Sequence, residues 1–222
     1  MVSHVIKAII FDWNGTLIDD IRLHVKSYAQ VLREAGAKDE GLEEFLKKHL
    51  GNISKSAFEK AAYEKTGIMF SKKMVKRKIG LYLKAAGSLQ DSIFFPGMIE
   101  VVEYLKGKYK MSIVSGSEES QIIQMLPQQA KEAFTAIIGD NGRLKPKPAP
   151  DMLIFAAKMM GVKPADCAYV GDAEYDMTAA RKAGMKAVGV TTGNFSAGDL
   201  RKAGAEFVVK SLREFIDILD EL

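Results

Sequence analysis

Four short stretches carry side chains that could do chemistry together. They are Asp12 in "IFDWNGTLIDD", Ser115 in "IVSGS", Lys145 and Lys147 in "RLKPKPAPD", and Asp172 and Asp176 in "YVGDAEYD". Taken singly, each has a plain structural reading: a turn aspartate or helix cap, a loop, a linker, a Gly-Asp turn. Taken together, they describe a site. Three acids near one point repel each other unless a cation sits among them, and hard oxygen ligands suit Mg²⁺. A serine hydroxyl, backbone N–H groups and a lysine suit phosphate oxygens. A carboxylate aimed at phosphorus can attack it and form an aspartyl-phosphate that water later cleaves. A metal would offset the repulsion between that carboxylate and the phosphate.

Something must bring these stretches together, and the pattern around them supplies it. Apolar, β-rich runs occur at residues 5–11, 111–115, 136–139, 167–171, 186–192 and 207–209. Helical periodicity separates most of them: Leu153, Ala156, Ala157 and Met160 form one stripe, with Gly161 as a stop. Alternating strands and helices predict an α/β fold, a Rossmann-like parallel sheet with helices on both faces. In such sheets ligands bind at the carboxyl ends of the strands, which is where Asp12, Ser115 and Asp172 fall.

Between residues 20 and 89 the alternation stops. The segment reads as helices over 20–35, 40–50, 54–66 and 71–86, punctuated by Gly36, Gly51, Gly67 and Gly87. An all-α block inserted after the first strand is expected to be a cap domain over the site, leaving 1–19 and 90–222 as the catalytic core. Residues 21–90 hold 15 Lys or Arg against 7 Asp or Glu, within a chain of net charge +4. That bias reads first as a solvated helical surface, and it also suits a small anionic substrate. The basic run 72–78, "KKMVKRK", has no interleaved aromatics, which argues against nucleic acid. No apolar run approaches the ~20 residues that cross a bilayer. The apolar N-terminal stretch reads as a strand rather than a leader. A single cysteine, Cys167, leaves no internal disulfide and fits a reducing cytoplasm.

The four stretches, in this order, resemble the motifs of the haloacid dehalogenase-like hydrolase superfamily, most of whose members are Mg²⁺-dependent phosphatases. "FDWNGTLID", "IVSGS", "KPKPAPD" and "VGDAEYD" match its four motifs, and the helical insertion is similar to its cap. The resemblance covers essentially the whole chain. It implies that Asp12 is the nucleophile and a metal ligand, and that residue 14 binds metal through its backbone carbonyl. It implies that Asp172 binds the metal, with Asp176 in support. Ser115 and the Gly116 N–H would hold phosphate, with Lys147, by its spacing in "KPAPD", as the site lysine ahead of Lys145. A small phosphorylated substrate and a monomer or homodimer are expected.

Asn14 departs from the pattern. The phosphatases usually have Asp there, to protonate the leaving oxygen and then deprotonate water. An amide does neither, and losing a general acid–base costs roughly 10²–10⁴ in rate. One reading is a phosphatase whose substrate has a good leaving group, or whose proton comes from elsewhere. A second follows from Trp13: "DWNGT" resembles the motif of phosphonoacetaldehyde hydrolases, which use a cap lysine, and Lys55 in "LGNISKSAF" is the candidate. The third is a weakly active protein that binds a phosphorylated ligand. A dehalogenase fits less well, because those relatives carry Tyr at this position and need no acidic metal pair.

Overall fold

The computed structural model describes residues 5–53 and 55–222. The chain divides into two compact units, residues 1–18 with 94–222, and residues 19–93.

The first unit is built on a six-stranded, all-parallel sheet. Its strands are β1 (Ala8–Phe11), β2 (Lys110–Val114), β3 (Phe134–Ile138), β4 (Cys167–Gly171), β5 (Lys186–Val190) and β6 (Phe207–Val209). Their order across the sheet is β3-β2-β1-β4-β5-β6. From β1 the chain winds outward to β3, and from β4 it winds outward the other way. The reversal therefore lies between β1 and β4, the place where this topology opens a crevice. β1 and β4 are buried along their whole length, so both faces of each must be apolar. "AIIF" and "CAYVG" satisfy that with a continuous apolar run rather than an alternating one.

The helices of the second unit are α1 (Ile21–Glu34), α2 (Leu42–His49), α3 (Lys55–Thr66) and α4 (Lys72–Leu89). Those of the sheet unit are α5 (Met98–Leu105), α6 (Glu119–Met125), α7 (Gln128–Lys131), α8 (Asp151–Met160), α9 (Glu174–Ala183), α10 (Ala197–Ala203) and α11 (Leu212–Asp217). The stripe foreseen on α8 is the one that packs: Leu153, Ala156, Ala157 and Met160 are buried in a core with Ala8 and Ile10 of β1 and Tyr169 of β4. None of the described helices is long and apolar enough to cross a membrane.

The helical unit has its own core, with Val25, Ala29 and Leu32 of α1 against Leu42 and Leu46 of α2 and Phe58 of α3. The helix foreseen over 54–66 is observed from Lys55, and residue 54 lies outside the described residues. The helix expected to end at 86 runs on to Leu89 instead. Gly87 does not stop it, because Ala85 and Ala86 are strong helix formers and a glycine costs a helix only about 1 kcal/mol.

A buried polar cluster joins α1 to α4. Tyr82 donates to Asp20 Oδ2 at 2.5 Å, and His24 Nε2 lies 3.0 Å from the same oxygen. The other ring nitrogen, Nδ1, is 2.7 Å from Lys78 Nζ, and the ring stacks on Tyr82 at 4.5 Å. A neutral ring that donates from Nε2 and accepts at Nδ1 satisfies both neighbours. Burial and the Lys78 ammonium hold the His24 pKa below its ordinary value, and Asp20 opposes them. The unfolded chain then takes the proton first. The stability from this ring is complete above pH ~6.5 and is lost as the pH falls below it. Between pH 7.5 and 5.5 the wild type is expected to lose more melting temperature than His24→Gln. Equal losses in thermal unfolding would show that His24 does not titrate in this way.

Candidate functional site

Strand register places the chemistry. Phe11 of β1 is level with Ile113 of β2 and Val170 of β4. Asp12 is the first residue past β1, and its N–H donates to Val170 O at 2.8 Å, which locks it at the β1–β4 reversal. Ser115 is the first residue past β2, held by its N–H on Ile138 O at 2.9 Å. Asp172 is the first residue past β4, and Asp176 lies in the first turn of α9.

Asp12, Asp172 and Asp176 are all buried, and one carboxylate oxygen of each lies within 4.8 Å of the others. Lys147 stands among them. Its Nζ is 2.8 Å from Asp12 Oδ1, 2.6 Å from Asp176 Oδ1, and donates to Tyr169 OH at 2.8 Å. Tyr169 passes its own proton donation to Asp176 Oδ1 at 3.1 Å. Asp176 Oδ2 accepts the Ala173 N–H at 3.1 Å, capping α9. Both oxygens of Asp176 are thus engaged by the protein. Asp172 Oδ1 accepts from Thr16 Oγ1 at 3.1 Å.

One ammonium does not neutralise three buried carboxylates. Burial and Asp176 push Asp12 up to about 7, with Lys147 pulling the other way. Burial, then Asp176 and Asp12, push Asp172 well above the usual carboxylate range. Burial works against the charge on Lys147, but Asp12 and Asp176 outweigh it and raise its pKa. The donor set is all oxygen, anionic and crowded, which is the chemistry a hard divalent cation requires.

The turn after β1 folds tightly because the Trp13 carbonyl accepts the N–H groups of Leu17, at 2.9 Å, and Ile18, at 3.1 Å. Trp13 itself is buried against the edge of Phe94. Gly15 has φ +76°, and a Cβ on it would lie 2.4 Å from Asp172 Oδ2. Gly193 crowds the same carboxylate more closely still: a Cβ there would lie 1.8 Å from Oδ2. Thr192 Oγ1 donates to Gly15 O at 2.6 Å, tying the segment after β5 to this turn. Backbone from two separate segments therefore presses on Asp172 and fixes it.

The Asn14 side chain meets the loop after β2. Its Oδ1 accepts from Ser117 Oγ at 2.8 Å and from Ser115 Oγ at 3.2 Å. Ser115 Oγ in turn accepts the Ser117 N–H at 3.0 Å.

Of the residues singled out from the sequence, Asp12, Lys147, Asp172 and Asp176 form one cluster of charges, and Asn14 and Ser115 are hydrogen-bonded to each other. Gly116 lies exposed between the two serines, and Lys145 is exposed. Lys55 is the first residue of α3 in the helical unit. Thr16, Ser117, Tyr169, Thr192 and Gly193 were not foreseen. Thr16 and Ser117 stood within quoted motifs and could have been found there. Tyr169 reads from sequence as a core strand residue, and nothing links Gly193 to Asp172 along the chain.

Residues 9–190 match the haloacid dehalogenase-like hydrolase family. The chain belongs to that family. This haloacid dehalogenase-like chain is 25% identical over 221 residues to phosphoglycolate phosphatase 1 of Pseudomonas aeruginosa, covering 97% of itself and 80% of that protein. It is 29% identical over 224 residues to the β-phosphoglucomutase of Bacillus subtilis, covering 97% and 94%. Among solved structures, a hydrolase from Pseudomonas syringae superposes with a TM-score of 0.76 at 26% identity, over 97% of this chain and 99% of that one.

Two outcomes test the cluster. Lys147→Met should lower stability in chelator at pH 8 by about 3 kcal/mol, because it strands buried carboxylates without a counter-charge. The deficit should shrink on acidification, as the carboxyls take up protons. Urea denaturation across pH reads both, and an unchanged midpoint at pH 8 would contradict the charge balance drawn here. Gly193→Ala must move Asp172, and should weaken divalent-cation binding at least about tenfold by calorimetry.

Proposed function

We propose that the chain is a Mg²⁺-dependent phosphohydrolase that acts on a small phosphorylated metabolite through an aspartyl-phosphate on Asp12. The observation that carries this reading is Asp12 itself. It is a buried carboxylate at the β1–β4 reversal, 2.8 Å from the Lys147 ammonium, with two further carboxylates beside it. The phosphoglycolate phosphatase among its relatives supports phosphate-ester chemistry.

Asp12, Asp172 and the Asn14 backbone carbonyl would hold the ion, with Asp176 in support, since both Asp176 oxygens are engaged by protein donors. When bound, the ion supplies positive charge that offsets the repulsion between carboxylate and phosphate. The chain's own residues do the rest. An Asp12 oxygen attacks phosphorus while the bond from phosphorus to the leaving oxygen breaks, and the electron pair leaves with that oxygen. Lys147 offsets charge on Asp12 and the phosphoryl oxygens. The Gly116 N–H holds the phosphoryl group in place, while Ser115, whose one hydroxyl proton goes to Asn14 Oδ1, anchors the loop that presents it. Water then attacks the phosphorus and releases inorganic phosphate from Asp12.

Asp12→Asn should abolish turnover, by at least about 10³-fold given its role as nucleophile, while the circular dichroism spectrum and melting transition remain those of a folded protein. The assay is phosphate release from p-nitrophenyl phosphate with Mg²⁺ and with chelator. Turnover that persists in Asp12→Asn, or that ignores chelation, would remove the nucleophile or the ion from this reading.

A further inference from the structure

The surroundings of Asn14 bear on how long a phosphoryl group would stay on the chain. This rests on the reading above, that Asp12 accepts it. The Asn14 side chain has one acceptor atom, Oδ1, and two hydroxyls donate to it: Ser117 Oγ at 2.8 Å and Ser115 Oγ at 3.2 Å. Ser115 is fixed for this by the Ser117 N–H on its oxygen, and is itself fully buried. An amide takes no proton from water near neutral pH. With both lone-pair directions of Oδ1 taken by hydroxyls, it cannot orient water as an acceptor either.

We propose that this arrangement makes the chain an acceptor of activated phosphoryl groups that keeps a long-lived aspartyl-phosphate, with Ser117 as the residue that positions Asn14. The two half-reactions make unequal demands. In the first, Asp12 Oδ bonds to phosphorus and the bond from phosphorus to the leaving oxygen breaks. An acyl or aryl phosphate releases a carboxylate or phenolate, which departs with its electron pair and needs no proton. In the second, water oxygen bonds to phosphorus, the bond from Asp12 Oδ to phosphorus breaks, and a water proton must go to a base. Asn14 supplies none, so that proton passes to bulk solvent or a phosphate oxygen and the step is slow. The substrate class follows: phosphates whose leaving group is stable as an anion, ahead of alkyl esters.

Ser117 tests the positioning. Removing its hydroxyl frees one lone pair of Oδ1 to receive a water hydrogen. Ser117→Ala should therefore shorten the phosphoenzyme lifetime, about two- to tenfold, without slowing its formation, and Ser117→Thr should restore the long lifetime. Structural damage alone would not speed a reaction step.

The experiment mixes the full chain with Mg²⁺ and acetyl phosphate, quenches in acid, and reads acetate release together with intact mass. The wild type should give a burst of about one acetate per chain, then a slow phase, with most chains carrying one phosphoryl group on Asp12. Asn14→Asp should abolish the accumulation and raise steady-state turnover on the order of 10²-fold or more. A wild type that turns over with no more phosphoenzyme than Asn14→Asp overturns the proposal and leaves the phosphohydrolase reading standing. So does a Ser117→Ala phosphoenzyme that lasts as long as that of the wild type. Absence of both label and turnover, in wild type and in Asn14→Asp, removes the phosphohydrolase reading along with it.

Discussion

The structure turns on the Lys147 ammonium between Asp12 and Asp176, at 2.8 and 2.6 Å. Three carboxylates packed this closely oppose one another. At ~4 Å and an effective dielectric constant of about 20, each ionised pair costs roughly 4 kcal/mol. One lysine offsets part of that, and burial together with the remaining repulsion keeps Asp12 and Asp172 above the ordinary carboxylate range. The remaining negative charge is a demand for a cation. Much of the surrounding architecture holds the acids in place against their repulsion. The β1–β4 hydrogen bond fixes Asp12, Tyr169 and the α9 cap fix Asp176, and Thr16 with the crowding backbone of Gly15 and Gly193 fixes Asp172.

Asn14 occupies the opposite chemical position. It is the neutral group beside a cluster of charges, and its oxygen is tied to two hydroxyls. An aspartate in its place would add a fourth carboxylate to a site already short of positive charge. The amide is therefore easy to accommodate electrostatically. Its cost falls on proton transfer, where a carboxyl group could give and take a proton and an amide cannot. In the proposed mechanism, binding and covalent attack fall to the acids and the lysine, and the asparagine bears on release of the phosphoryl group.

Much of the fold was legible before the structure. β4 and β6 coincide with the foreseen runs, because "CAYVG" and "FVV" are bounded by clear polar or helical signals. β1 begins at Ala8, three residues later than the apolar run suggests, although the Lys7 backbone still bonds Asp166 and Lys110 on either side. α4 runs through Gly87 to Leu89 because one glycine does not outweigh the helix-forming Ala85 and Ala86 before it. The acids and Lys147 were legible because each breaks an apolar pattern that needed no charge. Tyr169 was hidden for the opposite reason. A tyrosine in a buried strand looks like core, and only its hydroxyl, bonded to Lys147 and Asp176, says otherwise.

From the sequence alone came the alternation that makes a parallel sheet, the helical insertion, and the types and order of the polar groups at the strand ends. These are local properties, written in periodicity and in residue chemistry. Tertiary structure decided which lysine meets the acids. Lys145 and Lys147 stand two residues apart in one loop, and only the packing of that loop buries one and leaves the other exposed. It also decided that Gly193 presses on Asp172 and that Ser117 reaches Asn14, which lie 21 and 103 residues apart along the chain. Contacts of that kind depend on how whole strands and helices stack, and no short stretch of sequence carries them.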